Sequence, residues 1–221
     1  MICKEKPGDL ELDFFYEIYQ APPAEKDWAL SNCCSLADCW NRLPAKYLIW
    51  LATRPHVLSD ADQYRLAAYC CRMIKHLVRH PVTNRVIQLT EARARGRASV
   101  SKINELFATL SELPSALPSA SEPFVHYAAT CCLMEALNDE AWSAASCAAD
   151  QASHALSLCV PFESAVAKKG KAQVRIANYI RRTYKPRFNW KIHRRSSNYW
   201  GPPSLDPGVP EAAFQEVNPN D

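Results

Sequence analysis

Apolar residues recur at steps of three and four along most of this chain, and no segment alternates apolar with polar positions. That period predicts helices. Asp9 caps a short one, with Leu12, Phe15 and Ile18 or Tyr19 on one face, and Pro22-Pro23 ends it. A helical stretch from about Ala24 to Leu43 follows, anchored by Trp28, Leu36 and Trp40. Pro44 suits the first turn of a short helix from Ala45 to Thr53. Arg54-Pro55 closes it, because a residue before proline resists the helical region. Asp60 caps the clearest helix: Ala67, Cys70, Cys71, Ile74, Leu77 and Val78 form its apolar face, opposite Arg65, Arg72, Lys75 and Arg79.

Pro81 restarts a helix with Val82, Val86 and Leu89 inward, a Glu91–Arg95 pair outward and Gly96 as its stop. Ser99 or Ser101 opens another, with Ile103, Leu106, Phe107 and Leu110 on one stripe. Residues 112–123 read as a Pro/Ser linker. Helix resumes near Phe124 and is apolar almost all round through Leu137, which predicts a central position. Beyond Asn138-Asp139, Trp142, Ala145, Ala149, Ala152, Leu156 and Cys159 recur at steps of three and four, and the small ones allow close helix contact. Pro161 starts a last helix, whose Phe162, Val166, Ala177 and Ile180 are expected to face the body.

The expectation is an all-α protein, an irregular bundle of about seven to nine helices with an extended basic C-terminal arm. Residues 1–183 form the helical domain; residues 184–221 are a basic aromatic arm and a Pro-rich tail.

Two runs echo each other 61 residues apart: Ala67-Ala68-Tyr69-Cys70-Cys71-Arg72-Met73 and Ala128-Ala129-Thr130-Cys131-Cys132-Leu133-Met134. Two buried helices packing through the same small residues account for this more simply than a shared ligand site. A wider pattern is familiar. Asp38-Cys39-Trp40, Tyr47-Leu48-Ile49-Trp50-Leu51-Ala52, Leu66-Ala67-Ala68-Tyr69-Cys70-Cys71-Arg72, Val86 and Thr90-Glu91-Ala92-Arg93-Ala94-Arg95-Gly96, followed by an Ala-rich helix, resemble a helical family of bacterial and phage proteins labelled as immunity proteins. The resemblance runs from about Leu36 to Leu158, and its motifs are structural. It implies an all-α fold and a bacterial or phage setting. The Pro/Ser linker and the basic arm depart from it.

Composition adds compartment. Ten cysteines in 221 residues include three adjacent pairs, Cys33-Cys34, Cys70-Cys71 and Cys131-Cys132. The residues after Met1 form no apolar signal region, and the pairs sit in apolar helical patterns. Reduced, mostly buried thiols in a cytoplasmic protein are expected. No apolar run approaches the roughly 18 residues of a membrane span.

Charge adds a direction. Residues 164–205 hold eleven Lys/Arg and no Asp or Glu. The chain as a whole carries +3, so removing those eleven leaves −8 on the remainder. A mildly acidic body joined to a strongly basic segment concerns partners rather than fold. Lys168, Lys171, Arg175 and Arg182 fall within about 60° on a helix. Arg181, Lys185, Arg187, Trp190, Lys191, Arg194 and Arg195 extend the set, with aromatics between them. Cations there speed encounter with an acidic surface, and Trp190 supplies an apolar anchor.

Catalytic and metal chemistry find little material. The cysteines show no C-x₂-C spacing, and adjacent cysteines on a helix point about 100° apart. His76 and His80 stand at i, i+4 but run into Pro81. Among possible nucleophiles, Cys71 beside Arg72 and Cys39 near Arg42 have cationic neighbours. No phosphate-loop, dinucleotide, zincin or nucleophile-elbow motif is present. The expectation is therefore a non-enzymatic binding protein of immunity or anti-defence inhibitor type, with no cofactor, metal or catalytic residue. It would occupy a protein partner's acidic surface through the eleven residues Lys168, Lys171, Arg175, Arg181, Arg182, Lys185, Arg187, Trp190, Lys191, Arg194 and Arg195. RNA or DNA binding through the same residues is the alternative, and a Cys-dependent enzyme the third.

Overall fold

The computed structural model describes residues 9–116, 123–186 and 188. Its ten helices are α1 (Asp9–Ile18), α2 (Pro23–Asn32), α3 (Leu36–Arg42), α4 (Ala45–Ala52), α5 (Asp60–Ile74), α6 (Pro81–Arg93), α7 (Val100–Ala116), α8 (Pro123–Glu135), α9 (Ala141–Ser157) and α10 (Phe162–Thr183). No strand occurs among the described residues, so the fold is all-α. All ten helices belong to one compact unit, residues 1–188; the second unit, 189–221, lies outside the described residues.

The helix count exceeds seven to nine because the stretch from Ala24 to Leu43 is two helices. Cys33-Cys34-Ser35 breaks it, and the Ser35 hydroxyl caps α3 by accepting from the Asp38 N–H at 3.1 Å. Pro23 begins α2 rather than ending α1, a position where its missing N–H costs nothing. The cap of α5 is Ser59, one residue before the expected Asp60, and it accepts from the Asp62 N–H at 3.2 Å. Gly96 does stop α6. Its φ of +67° lets Arg97 N–H reach Ala92 C=O at 2.9 Å and Gly96 N–H reach Arg93 C=O at 2.8 Å. Glu91 pairs across to Arg72 on α5 instead of along its own helix to Arg95. Helix α7 runs on through Glu112 and Leu113 to Ala116, which shortens the expected linker; residues 117–122 lie outside the described residues.

The core is built around α9, which packs against α4, α5, α8 and α10. Seven of its residues, Ala141, Ala144, Ala145, Ala148, Ala149, Ala152 and Ala155, are buried alanines. Without bulky side chains, neighbouring backbones approach closely, as Cys132 Sγ does on α8 at 3.4 Å from Ala148 C=O. The echo is explained by the same packing. Its two runs lie on α5 and α8, both against α9, and equivalent positions meet where Cys71 Sγ lies 3.8 Å from Cys132 C=O. Helix α8 is less enclosed than expected: Phe124 is 76% exposed and Tyr127 62%.

Three arginines close helix ends from inside. Arg93 donates to Leu137 C=O at 2.6 Å, pairs with Asp139 at 3.0 Å and covers the Tyr64 ring at 4.5 Å. Arg54 donates to Trp50 C=O at 3.1 Å and lies over the rings of Trp50 and Trp142. Arg181 on α10 donates to Trp40 C=O at 3.3 Å and Leu43 C=O at 2.6 Å, satisfying the end of α3. Each contact answers carbonyls that a helix C-terminus leaves unpaired.

Candidate partner-binding face

Helix α10 is clamped at one end and open at the other. Ala172, Ile176, Ala177 and Ile180 are buried against α4 and α9. Beyond its last turn Tyr184 is buried too. Its hydroxyl meets that of Tyr179 at 3.3 Å, and the Tyr179 ring stacks on Tyr69 with centroids 3.8 Å apart. Phe188 sets its edge on Trp40 at 6.3 Å. The chain thus stays attached to the body past the expected boundary at residue 183. At the other end the expectation fails: Phe162 is 90% exposed and Val166 85%. They share the angular sector of the buried face, but there the sector stands open to solvent.

The sequence-predicted cations separate by direction. Lys168, Lys171, Arg175, Arg182 and Lys185 are exposed, and none makes an ion pair with another described residue. Lys169, beside them, is bonded to Asp150 at 3.1 Å. Arg181 faces inward on the α3 carbonyls, and burial lowers its pKa from the ordinary arginine value. Its position is therefore structural. Arg187, Trp190, Lys191, Arg194 and Arg195 lie outside the described residues. Lys168, Lys171 and Arg175 follow one another at steps of three and four, where like charges repel by a few tenths of a kcal/mol each. No acidic residue lies between Ser164 and Thr183 to offset this.

One group that the sequence reading missed is Glu25. It is 1% exposed and its Oε1 has no hydrogen-bond partner. Burial pushes its carboxyl up to about 8, against the opposing pull of Arg54 and Lys46. In sequence, an acid in the first turn of a helix looks like an ordinary solvated complement to the helix dipole. Only the packing around α2 encloses it. Nearby, the Tyr16 ring stacks on Trp50 at 5.6 Å, and Gln63 Nε2 donates to Arg54 C=O at 3.2 Å.

Two cysteine candidates can be placed. Cys39 and Cys71 are fully buried, and desolvation raises the Cys39 thiol far above its ordinary range. A thiol so raised holds almost no thiolate at neutral pH. Cys70, Cys131 and Cys132 are likewise free thiols. Cys34 departs from the expectation of reduced thiols: it is disulfide-bonded. It sits in the break between α2 and α3, half-buried, rather than inside a helix as the pattern suggested. Among the described residues no three His, Cys, Asp or Glu side chains gather as a metal site. His80 is occupied at the start of α6, where its Nδ1 accepts from Val82 N–H at 3.2 Å. No described helix is long and apolar enough to cross a membrane.

Geometry and fold together define a helical bundle with a cationic outer face on α10. No family model, curated protein or solved structure matches the chain. The likeness to the immunity-protein family therefore rests on the quoted residues alone.

Proposed function

We propose that this protein is a non-enzymatic binding protein that occupies an acidic surface of a protein partner through the outer face of α10 and the arm that follows it. The observation that carries this reading is the row Lys168, Lys171, Arg175, Arg182 and Lys185, exposed and without ion pairs to described residues. A helix that keeps like charges adjacent and unneutralised gives up stability, and such local inconsistencies mark surfaces used for something else. The cations supply encounter rate and orientation, and Trp190 of the arm supplies an apolar anchor. The resemblance supports an immunity or anti-defence inhibitor role in a bacterial or phage cytoplasm.

Nucleic-acid binding is less well supported by the same face. Base stacking needs open aromatic rings. Tyr179, Tyr184 and Phe188, three of the aromatics interleaved with the cations, are instead packed on other aromatic rings of the bundle.

The test is a pull-down from host cells with the full chain and with K168E/K171E/R175E/R182E, each with and without nuclease. A protein retained after nuclease by the full chain and lost from the variant supports the reading. Material lost on nuclease treatment transfers the face to nucleic acid, and log K should then fall by about 0.9 per phosphate contact with log salt.

A further inference from the structure

A second acid-free run lies within the helices of the body. From Gln63 to Thr90 the chain holds five Lys/Arg and two His but no Asp or Glu. The turn from α5 to α6 gathers most of them around a pocket of about 610 Å³. Lys75, His76, Arg79, His80 and Asn84 line it and are exposed. Among the described residues that border it, only Val78 and Pro81 are apolar and none is acidic. Arg72 lines it too, but Glu91 neutralises it. Lys75 and Arg79 make no ion pair with another described residue.

We propose that this pocket binds the phosphate group of a small phosphorylated molecule. The proposal goes beyond the partner-binding reading of α10 and does not depend on it. Three features argue for that ligand. First, positive charge stands where the fold itself disfavours it. Lys75 follows the last turn of α5, where a cation is favoured, but Arg79 and His80 stand just before α6, at the positive end of its dipole. An anion relieves both. Second, the surroundings are held in place. His80 Nδ1 accepts from the Val82 N–H at 3.2 Å, so the neutral ring carries its proton on Nε2 and donates from there. Thr83 ties down the turn by donating to Val78 C=O at 3.0 Å. The Thr83 N–H is bonded to His80 C=O at 3.1 Å, which leaves the binding to side chains rather than to the helix end. Third, the donors suit a phosphate. Lys75, Arg79, His80 Nε2 and the Asn84 amide come from several side chains, and a phosphate offers them three acceptor oxygens where a carboxylate has two. The volume falls in the range of small-molecule sites, about 300–1,000 Å³. So little apolar wall gives a protein partner no anchor.

The experiment is titration of the intact protein with pyrophosphate, read by calorimetry and by the amide NMR shifts of residues 75–84. It is repeated on K75M/R79M, on H80N and on K168E/K171E/R175E/R182E. Lys75 and Arg79 are exposed, and asparagine is itself a good helix cap, so the first two variants keep the fold. The expected result is binding to the native chain with shifts centred on the turn. Its Kd should weaken about tenfold or more in K75M/R79M and about threefold in H80N, and stay unchanged in the quadruple variant. No binding up to about 1 mM pyrophosphate overturns the proposal, as does equal affinity in K75M/R79M. Loss in the quadruple variant alone moves the anion to α10 and overturns it too. Citrate bound as tightly as pyrophosphate would make this a general carboxylate site. A single-stranded RNA bound more tightly than pyrophosphate, and lost in K75M/R79M, would make it a nucleic-acid contact. Either result overturns the small phosphorylated ligand.

Discussion

The two halves of α10 have nearly the same amino-acid character and opposite fates. From Ala172 to Tyr184 the inward side chains are buried, Arg181 closes the end of α3, and aromatic rings tie the exit to α5. From Phe162 to Gly170 the same angular sector is open: Phe162 and Val166 stand in solvent, and of the two only Val166 borders the groove beside α4 and α9. The difference lies in what the other helices offer. Helix α4 is eight residues long, too short to run beside both halves of a helix of 22. An amphipathic pattern thus reports which face would be buried if something were there, and the neighbours decide whether it is.

The contrast is most directly broken by truncating matched side chains on the two halves. I180A should lower unfolding free energy by about 2–4 kcal/mol, as deletion of fully buried methylenes does, whereas V166A should change it by less than about 0.5 kcal/mol. Urea unfolding followed by circular dichroism measures both; equal losses would mean that the two halves are equally packed. The same comparison extends to charge. R181M removes two hydrogen bonds to buried carbonyls and should cost about 1–3 kcal/mol, against about 0.5 kcal/mol or less for R182M, one residue on but exposed.

Glu25 sharpens the comparison between buried and solvated charge. Its carboxyl is raised from 4.5 unfolded to about 8 folded. Between those values the folded state binds more protons than the unfolded state, so stability falls as pH rises through this window. Below the window the group is neutral in both states and contributes nothing to the pH dependence. E25Q should flatten that fall and raise stability by about 3–5 kcal/mol at pH 9 while leaving pH 4 nearly unchanged. Urea midpoints measured across pH give the result, and parallel curves for the two proteins would show that Glu25 ionises normally. The smallest effect belongs to the groove wall. G170A should stabilise by about 0.5–1 kcal/mol, because the position is helical and open. A loss in melting temperature instead would show that the groove is closed at that point in solution.

Much of the bundle was legible because helix periodicity and punctuation are local. The all-α class, the starts of α4 after Pro44 and α6 at Pro81, the stop at Gly96 and the small-residue ridge of α9 were all readable from nearby residues. The break at Cys33-Cys34-Ser35 was not. No proline or glycine marks it, and the apolar residues on either side read as one stretch. The outer row of the candidate face was legible for the same reason as the helices: Lys168, Lys171, Arg175 and Arg182 share a helical sector, and all are exposed. Arg181 was indistinguishable from Arg182 in sequence, since its carbonyl partners lie about 140 residues away in the chain.

By itself, then, the amino-acid order determined where helices form, which of their faces are apolar, and that positive charge collects on one outer helix, because each depends on residues within a few turns of one another. Tertiary structure alone decided that Glu25 is enclosed, that Arg181 donates to the carbonyls at the end of α3, and that α10 runs past the short helix α4. Those outcomes depend on which helices lie beside which and how far each reaches, distances that no local pattern encodes.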